Sequence, residues 1–178
     1  MRNLSILFIL ILLTSCSDTT TREKSNVRPT QYSFDNMIPD YSTDTLFIKS
    51  SFADCGEWGG HEELIKIYRL EKKFKLTYIK YEVNCEARDQ FGLTQIEKFN
   101  KNITLSQFQK MALMNYMERL MKSQFLDKEI SHSGNYFSLE NTKGNLKISY
   151  GGNHPLLLEN YNDLLFKLEF PKVVIQQN

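Results

Sequence analysis

Thr104-Leu105-Ser106-Gln107-Phe108-Gln109-Lys110-Met111-Ala112-Leu113-Met114-Asn115-Tyr116-Met117-Glu118-Arg119-Leu120-Met121-Lys122-Ser123 runs without a glycine or a proline. Thr104-Leu105-Ser106-Gln107 has the form of a capping box, in which a hydroxyl satisfies a backbone N–H at a helix start and a Gln or Glu three residues on returns the bond. At about 100° per residue, Leu113, Met114, Tyr116, Met117, Leu120 and Met121 share one broad face, while Asn115, Glu118, Arg119 and Lys122 share the other. The predicted helix, residues 105–123, needs an apolar surface to lie on and is expected to cross a sheet. Four of the six methionines belong to it (Met111, Met114, Met117 and Met121) and are read as packing, flexible thioethers filling irregular gaps.

Upstream, Thr45 to Ala53, Glu62 to Leu70 and Phe74 to Val83 are rich in β-branched and aromatic residues and read as strands, the last two joined at Glu71-Lys72-Lys73. A turn is expected at Phe91-Gly92 and a further strand near Ile96 to Ile103. Downstream, Asn135 to Glu140 and Asn145 to Tyr150 predict a hairpin around Asn141-Thr142-Lys143-Gly144, where glycine suits a left-handed position. Past Gly151-Gly152-Asn153-His154-Pro155, a second helix over residues 157–168 places Leu158, Tyr161, Leu164, Leu165 and Leu168 on one side. Hairpin-linked strands segregated from helices predict the α+β class: a mostly antiparallel sheet with one long amphipathic helix packed on a face and a second, C-terminal helix.

The chain has 178 residues, 41% hydrophobic and 24% charged, enough for one cored domain. Its 22 Lys and Arg stand against 21 Asp and Glu, a balance that argues against a polybasic nucleic-acid binder. No nucleic-acid partner is expected.

At the front, Arg2 precedes an apolar stretch from Leu4 to Leu13 interrupted only by Ser5. As a helix this stretch reaches about 15 Å, half of the roughly 30 Å hydrocarbon core, so it predicts a cleaved signal peptide over residues 1–15 rather than a permanent span. Leu13-Thr14-Ser15-Cys16 resembles a bacterial lipobox, which is cut before the cysteine once its sulfur carries a diacylglycerol. The resemblance implies acyl chains, palmitate among them, on Cys16. Each buried CH₂ contributes about 0.8 kcal/mol, so two or three chains anchor a protein in effect permanently. Ser17-Asp18 is similar in part to the export signal of surface lipoproteins of Bacteroidota, and the chain resembles the small lipoproteins of that group. The address so implied is the bacterial cell envelope, at the outer membrane, with the periplasmic and surface sides both open. Loss of Arg2 with the leader leaves 21 basic and 21 acidic groups.

Residues 16–42 then read as a lipidated N-terminus and polar tether, too poor in apolar residues to order themselves, and residues 43–178 as a single domain. Flexible, the tether would hold the domain on the order of 30 Å from the bilayer. Phe34, Met37, Ile38 and Tyr41 are candidates to dock on the domain and shorten it. Asp18-Thr19-Thr20 and Asp44-Thr45-Leu46 are similar to Bacteroidota O-glycosylation sites, and ordinary polar linker explains them equally.

With Cys16 lipidated, Cys55 and Cys85 remain in a chain bound for an oxidising compartment, and a disulfide is the economical expectation. A free Cys55 thiolate beside His61 is the competing one. Around Cys55 and running into the second strand lies Asp54-Cys55-Gly56-Glu57-Trp58-Gly59-Gly60-His61-Glu62-Glu63, with the only tryptophan of the chain. Trp58, Gly59, Gly60 and His61 form one candidate binding edge, for a sugar ring or a partner's side chain. The preferred bland reading is that Trp58 covers the Cys55 bridge as core. His154, in the second Gly-Gly-Asn-His loop, is a further binding candidate if both loops lie at one end of the sheet.

No spacing of nucleophile, base, metal ligands or phosphate-binding glycines stands out, so the expected role is a membrane-anchored envelope lipoprotein that binds, or serves structurally, without catalysis. Its partners would be the membrane, through the lipid, and an envelope protein or glycan; no cofactor or metal is expected. Two alternatives stay open. Ser133-Gly134-Asn135-Tyr136 with Thr142-Lys143-Gly144 resembles the loops of membrane-bound lysozyme inhibitors, an all-β barrel family, which implies inhibition of an extracellular hydrolase. A small metal-dependent enzyme would instead gather His61, His154 and an acid such as Glu62 or Asp54.

Overall fold

A computed structural model describes residues 33–38, 43–89, 92–126 and 134–175. The predicted leader, Cys16, most of the tether with Thr19 and Tyr41, Phe91, His132 and Ser133 lie outside these residues. The elements in chain order are a short helix α1 (Phe34–Met37), strands β1 (Leu46–Ser51), β2 (Glu62–Leu70), β3 (Lys73–Glu82), β4 (Arg88–Asp89), β5 (Gly92–Leu93) and β6 (Ile96–Thr104), the long helix α2 (Gln107–Lys122), strands β7 (Tyr136–Asn141) and β8 (Lys147–Gly151), and helix α3 (Pro155–Lys167). Among the described residues no helix is long and apolar enough to cross a membrane.

Six strands form one sheet in the order β6-β3-β2-β1-β7-β8, every neighbouring pair antiparallel, and β4 with β5 makes a separate small ladder. The protein is therefore α+β. The meander β1-β2-β3-β6 grows outward in one direction, and the chain must then return across the sheet to set β7 on the other side of β1. Helix α2 makes that crossing, which is why its apolar stripe is needed. Glu71 and Lys72 adopt positive φ of 51° and 62° and so close β2 and β3 in a tight two-residue turn.

The cap of α2 lies two residues beyond the predicted box. Ser106 Oγ accepts from Gln109 N at 3.2 Å, and Gln109 Oε1 accepts from Ser106 N at 3.0 Å. Thr104 is still the last residue of β6, paired with Lys75, so it is not available to cap. Ala112, Leu113, Tyr116, Met117 and Leu120 are buried beneath the helix. Met114 is partly buried, but Met111 and Met121 are 56% and 49% exposed, so packing accounts for two of the four methionines only. Helix α3 lies beside α2, with Arg119 bonded to Asp163 at 2.8 Å, and buries Leu157, Tyr161, Leu164 and Leu165.

Alternation along the strands puts Ile48, Ile65, Ile67, Leu76, Phe137 and Leu139 on the face under the helices, where they are fully or almost fully buried. The chain beyond α3 is pinned there too: Phe170 stacks on Tyr78 at 4.4 Å, and Asn162 bonds both backbone groups of Val173. At the other end Phe34 and Ile38 enter the same core, so the folded body takes in residues that the sequence assigns to the tether. Thr45 is held by Thr142 through three hydrogen bonds, with Asp44 and Leu46 buried beside it.

Candidate functional site

The connection between β1 and β2 is a compact loop held at every turn. Phe52 N donates to His61 O at 3.0 Å, extending the ladder, and Cys55 N donates to Gly59 O at 2.8 Å. Gly56–Trp58 forms one 3-10 turn, and Gly56 and Gly59 have φ of 64° and 86°, where a side chain is strained. Gly60 is required for a different reason. A Cβ there would overlap the Phe52 carbonyl oxygen and stand 2.6 Å from Asp54 N. Gln95 buttresses the loop from outside, donating to Gly60 O at 3.0 Å and accepting from Glu62 N at 3.1 Å.

Cys55 and Cys85 are joined in a disulfide, Cα to Cα 5.4 Å, that ties this loop to the segment leaving β3. Cys55 is therefore no thiolate partner for His61. Trp58 is 63% exposed and does not cover the bridge as core. The aromatic of this loop that enters the core is Phe52, buried against Phe137, Tyr161 and the imidazole of His61. Because Gly56 and Gly59 turn the backbone sharply on either side, the tryptophan is left on the outside of the turn.

His61 faces the opposite way. Asp54 Oδ2 accepts from its backbone N at 3.1 Å and also pairs with ring Nδ1, while ring Nε2 stands 3.6 Å from Glu63 Oε1. Glu63 lies wholly buried on the helix side of the sheet, where Tyr161 donates to its Oε2 at 2.9 Å and Lys80 Nζ approaches its Oε1 at 3.2 Å. Burial by itself would pull the imidazole pKa down, but the flanking carboxylates of Asp54 and Glu63 outweigh it and raise it above the ordinary value. Burial would push Asp54 up, yet the two bonds from His61 and the charges of His61 and Lys80 hold it low. Burial, and then the charge of Glu63, keeps the phenols of Tyr78 and Tyr161 protonated. Asp54, His61 and Lys80 thus line a cleft of about 460 Å³ beside Cys85, with Glu63 buried behind them.

Both glycine-histidine loops lie at one end of the sheet, bridged by Asn135. Its Oδ1 accepts from Ala53 N at 3.1 Å, its N–H donates to Asn153 Oδ1 at 3.2 Å, and its carbonyl accepts from Gly152 N at 2.9 Å. The histidines have separate duties, however. His154 is the N-cap of α3, its Nδ1 accepting from Leu156 N at 3.3 Å, with Pro155 opening the helix behind it. Among the described residues no three of His, Cys, Asp and Glu gather to hold a metal ion. Glu62 points to the opposite face of the sheet from Glu63, so the acids beside His61 are Asp54 and Glu63.

Glu63, Lys80 and Tyr161 are not among the candidate site residues read from the sequence. A signal was present: Glu63 shares its parity in β2 with Ile65 and Ile67, which places an acid on the apolar face. The open sheet with helices on one face also departs from the closed barrel that a lysozyme-inhibitor resemblance implies. Neither a protein-family model nor a curated protein matches the chain.

Proposed function

We propose that this chain is a lipid-anchored protein of the bacterial cell envelope that acts by binding, meeting its partner at the end of the sheet where Trp58 is displayed. The single observation that carries the binding half of this reading is the exposure of Trp58, 63%, on a loop fixed by a disulfide, by Gly60 and by Asp54. A large aromatic held in one place loses little conformational freedom on binding, which is why such residues anchor interfaces. Against catalysis stands the arrangement of His61, whose two ring nitrogens are directed at its own carboxylates. Anchoring is supported by Leu13-Thr14-Ser15-Cys16, and an oxidising compartment by the Cys55–Cys85 bond.

Two measurements test the two halves. Mass spectrometry of the native protein should find acyl chains on an N-terminal Cys16, and Cys16→Ser should release it from the membrane fraction; an unmodified residue in a soluble protein ends the anchoring half. The released Cys16→Ser protein should bind isolated envelopes saturably, and adding Trp58→Ala should weaken that binding by about tenfold, the loss of about 1.4 kcal/mol expected of one aromatic anchor. Unchanged binding ends the other half.

A further inference from the structure

The face of the sheet turned away from the helices carries a second arrangement. By alternation Lys49, Ser51, Glu62, Leu64, Tyr81 and Tyr136 all project there, and they line a trough of about 320 Å³. The register sets Tyr136 opposite Ser51 and Ser51 opposite Glu62, and continuing the Glu63–Lys80 pairing sets Tyr81 beside Glu62. The two tyrosines thus stand three strand spacings apart, about 14 Å at ~4.8 Å each, with a small hydroxyl and a carboxylate between them. This row is the last before the loop that bears Trp58.

What the trough offers is specific. The hydroxyls of Tyr81, Tyr136 and Ser51 and the carboxylate of Glu62 have no partner among the described residues. Among the described residues that line the trough Lys49 is the one cation, and it is paired with Glu140. The four strands beneath each have a hydrogen-bonded neighbour on both sides, so a peptide cannot add here as a further strand. The ligand that fits has flat apolar C–H faces to lie on phenol rings and a rim of uncharged hydroxyls to bond the hydroxyls and the carboxylate.

We infer that this trough is a binding site for a short run of linked, uncharged sugar units, with Tyr81 and Tyr136 as the two walls and Glu62 and Ser51 as the polar floor. The inference rests on the reading of the body as a binding module and names the class of its ligand.

The test is calorimetric titration of the full chain, in a detergent without a sugar headgroup, with hexamers of N-acetylglucosamine and of glucose, and with hexagalacturonate as the anionic comparison. An uncharged hexamer should bind with a Kd below about 1 mM, Tyr136→Ala should weaken it by about tenfold, and Tyr136→Phe should stay within about threefold because the ring face remains. Glu62→Gln, which keeps the shape of the floor, should weaken it severalfold. Binding of neither uncharged hexamer at about 5 mM, stronger binding of the anionic one, or wild-type affinity in both Tyr136→Ala and Glu62→Gln overturns the inference. If Trp58→Ala still reduces envelope binding while the hexamers do not bind, the binding module stands and only the sugar class falls.

Discussion

One carboxylate oxygen of Asp54 receives both the backbone N–H and the ring Nδ1 of His61, so the two ends of the loop that displays Trp58 are clasped by a single side chain. Asp54→Ala removes both bonds and leaves the imidazole beside Glu63 alone. Hydrogen bonds to charged groups contribute about 1.5–3 kcal/mol, and a loss in that range is expected in denaturant unfolding. A loss under about 0.5 kcal/mol would mean that the clasp does not hold the loop.

The same pair sets a pH window. The pKa of His61 is raised on folding, so its contribution is complete below its ordinary value of 6.5 and is lost as the pH climbs through the raised one. That of Asp54 is lowered, so its contribution is complete above 3.8 and is lost as the pH falls through the lowered value. The stability gap between wild type and His61→Gln should therefore be widest between these two ordinary values and close on the alkaline side. A gap that widens with alkali contradicts the assignment.

The Cys55–Cys85 bond closes a separation of 30 residues. Under the chain-entropy account its removal in Cys55→Ser/Cys85→Ser should cost about 3–4 kcal/mol, less any native strain. Proteolysis of the double variant should begin within the Trp58 loop, because that loop loses its only covalent tie to the segment after β3. First cleavage elsewhere would show that the bond serves global stability alone.

Gly60 and Gly59 separate two uses of glycine. Gly60→Ala forces a Cβ into the Phe52 carbonyl and should cost more than about 2 kcal/mol, since the obstacle is backbone that cannot swing aside. Gly59→Ala meets open space and bears only the backbone strain of φ 86° with ψ −140°, about 1–3 kcal/mol. In thermal unfolding, a Gly60→Ala midpoint equal to that of wild type would refute the close approach.

The position of the α2 cap has its own check. Ser106→Ala should cost about 1 kcal/mol, whereas Thr104→Ala should leave the helix start intact and change stability through its place on the edge strand alone. Amide exchange at Gln109 distinguishes them: it should accelerate in the Ser106 variant only.

Local pattern was legible wherever one residue's chemistry decides its own backbone. β2 runs over the span expected from its composition, β3, β6 and α3 depart from theirs by a residue or two, and the Cys55–Cys85 pairing followed from the count of cysteines. The cap was displaced because Thr104 and Ser106 have equal local claims to the role, and only the pairing of Thr104 with Lys75 removes one of them. Trp58 was misplaced for a related reason: an apolar side chain is a candidate for any core, and the aromatic of this loop that enters it is Phe52.

Short-range signals in the chain, periodicity, turn residues and cysteine number, determined the class of fold and the presence of two helices on an antiparallel sheet. They could not order the strands, because which neighbour a strand takes depends on contacts between residues far apart in sequence. Only the tertiary structure set β7 against β1. That pairing brings Asn135 between the two glycine-histidine loops and Tyr136 into line with Ser51 and Glu62, and α3 above it brings Tyr161 onto Glu63. Buried charge and shared troughs are made by side chains from several strands at once, so no single segment carries their signature.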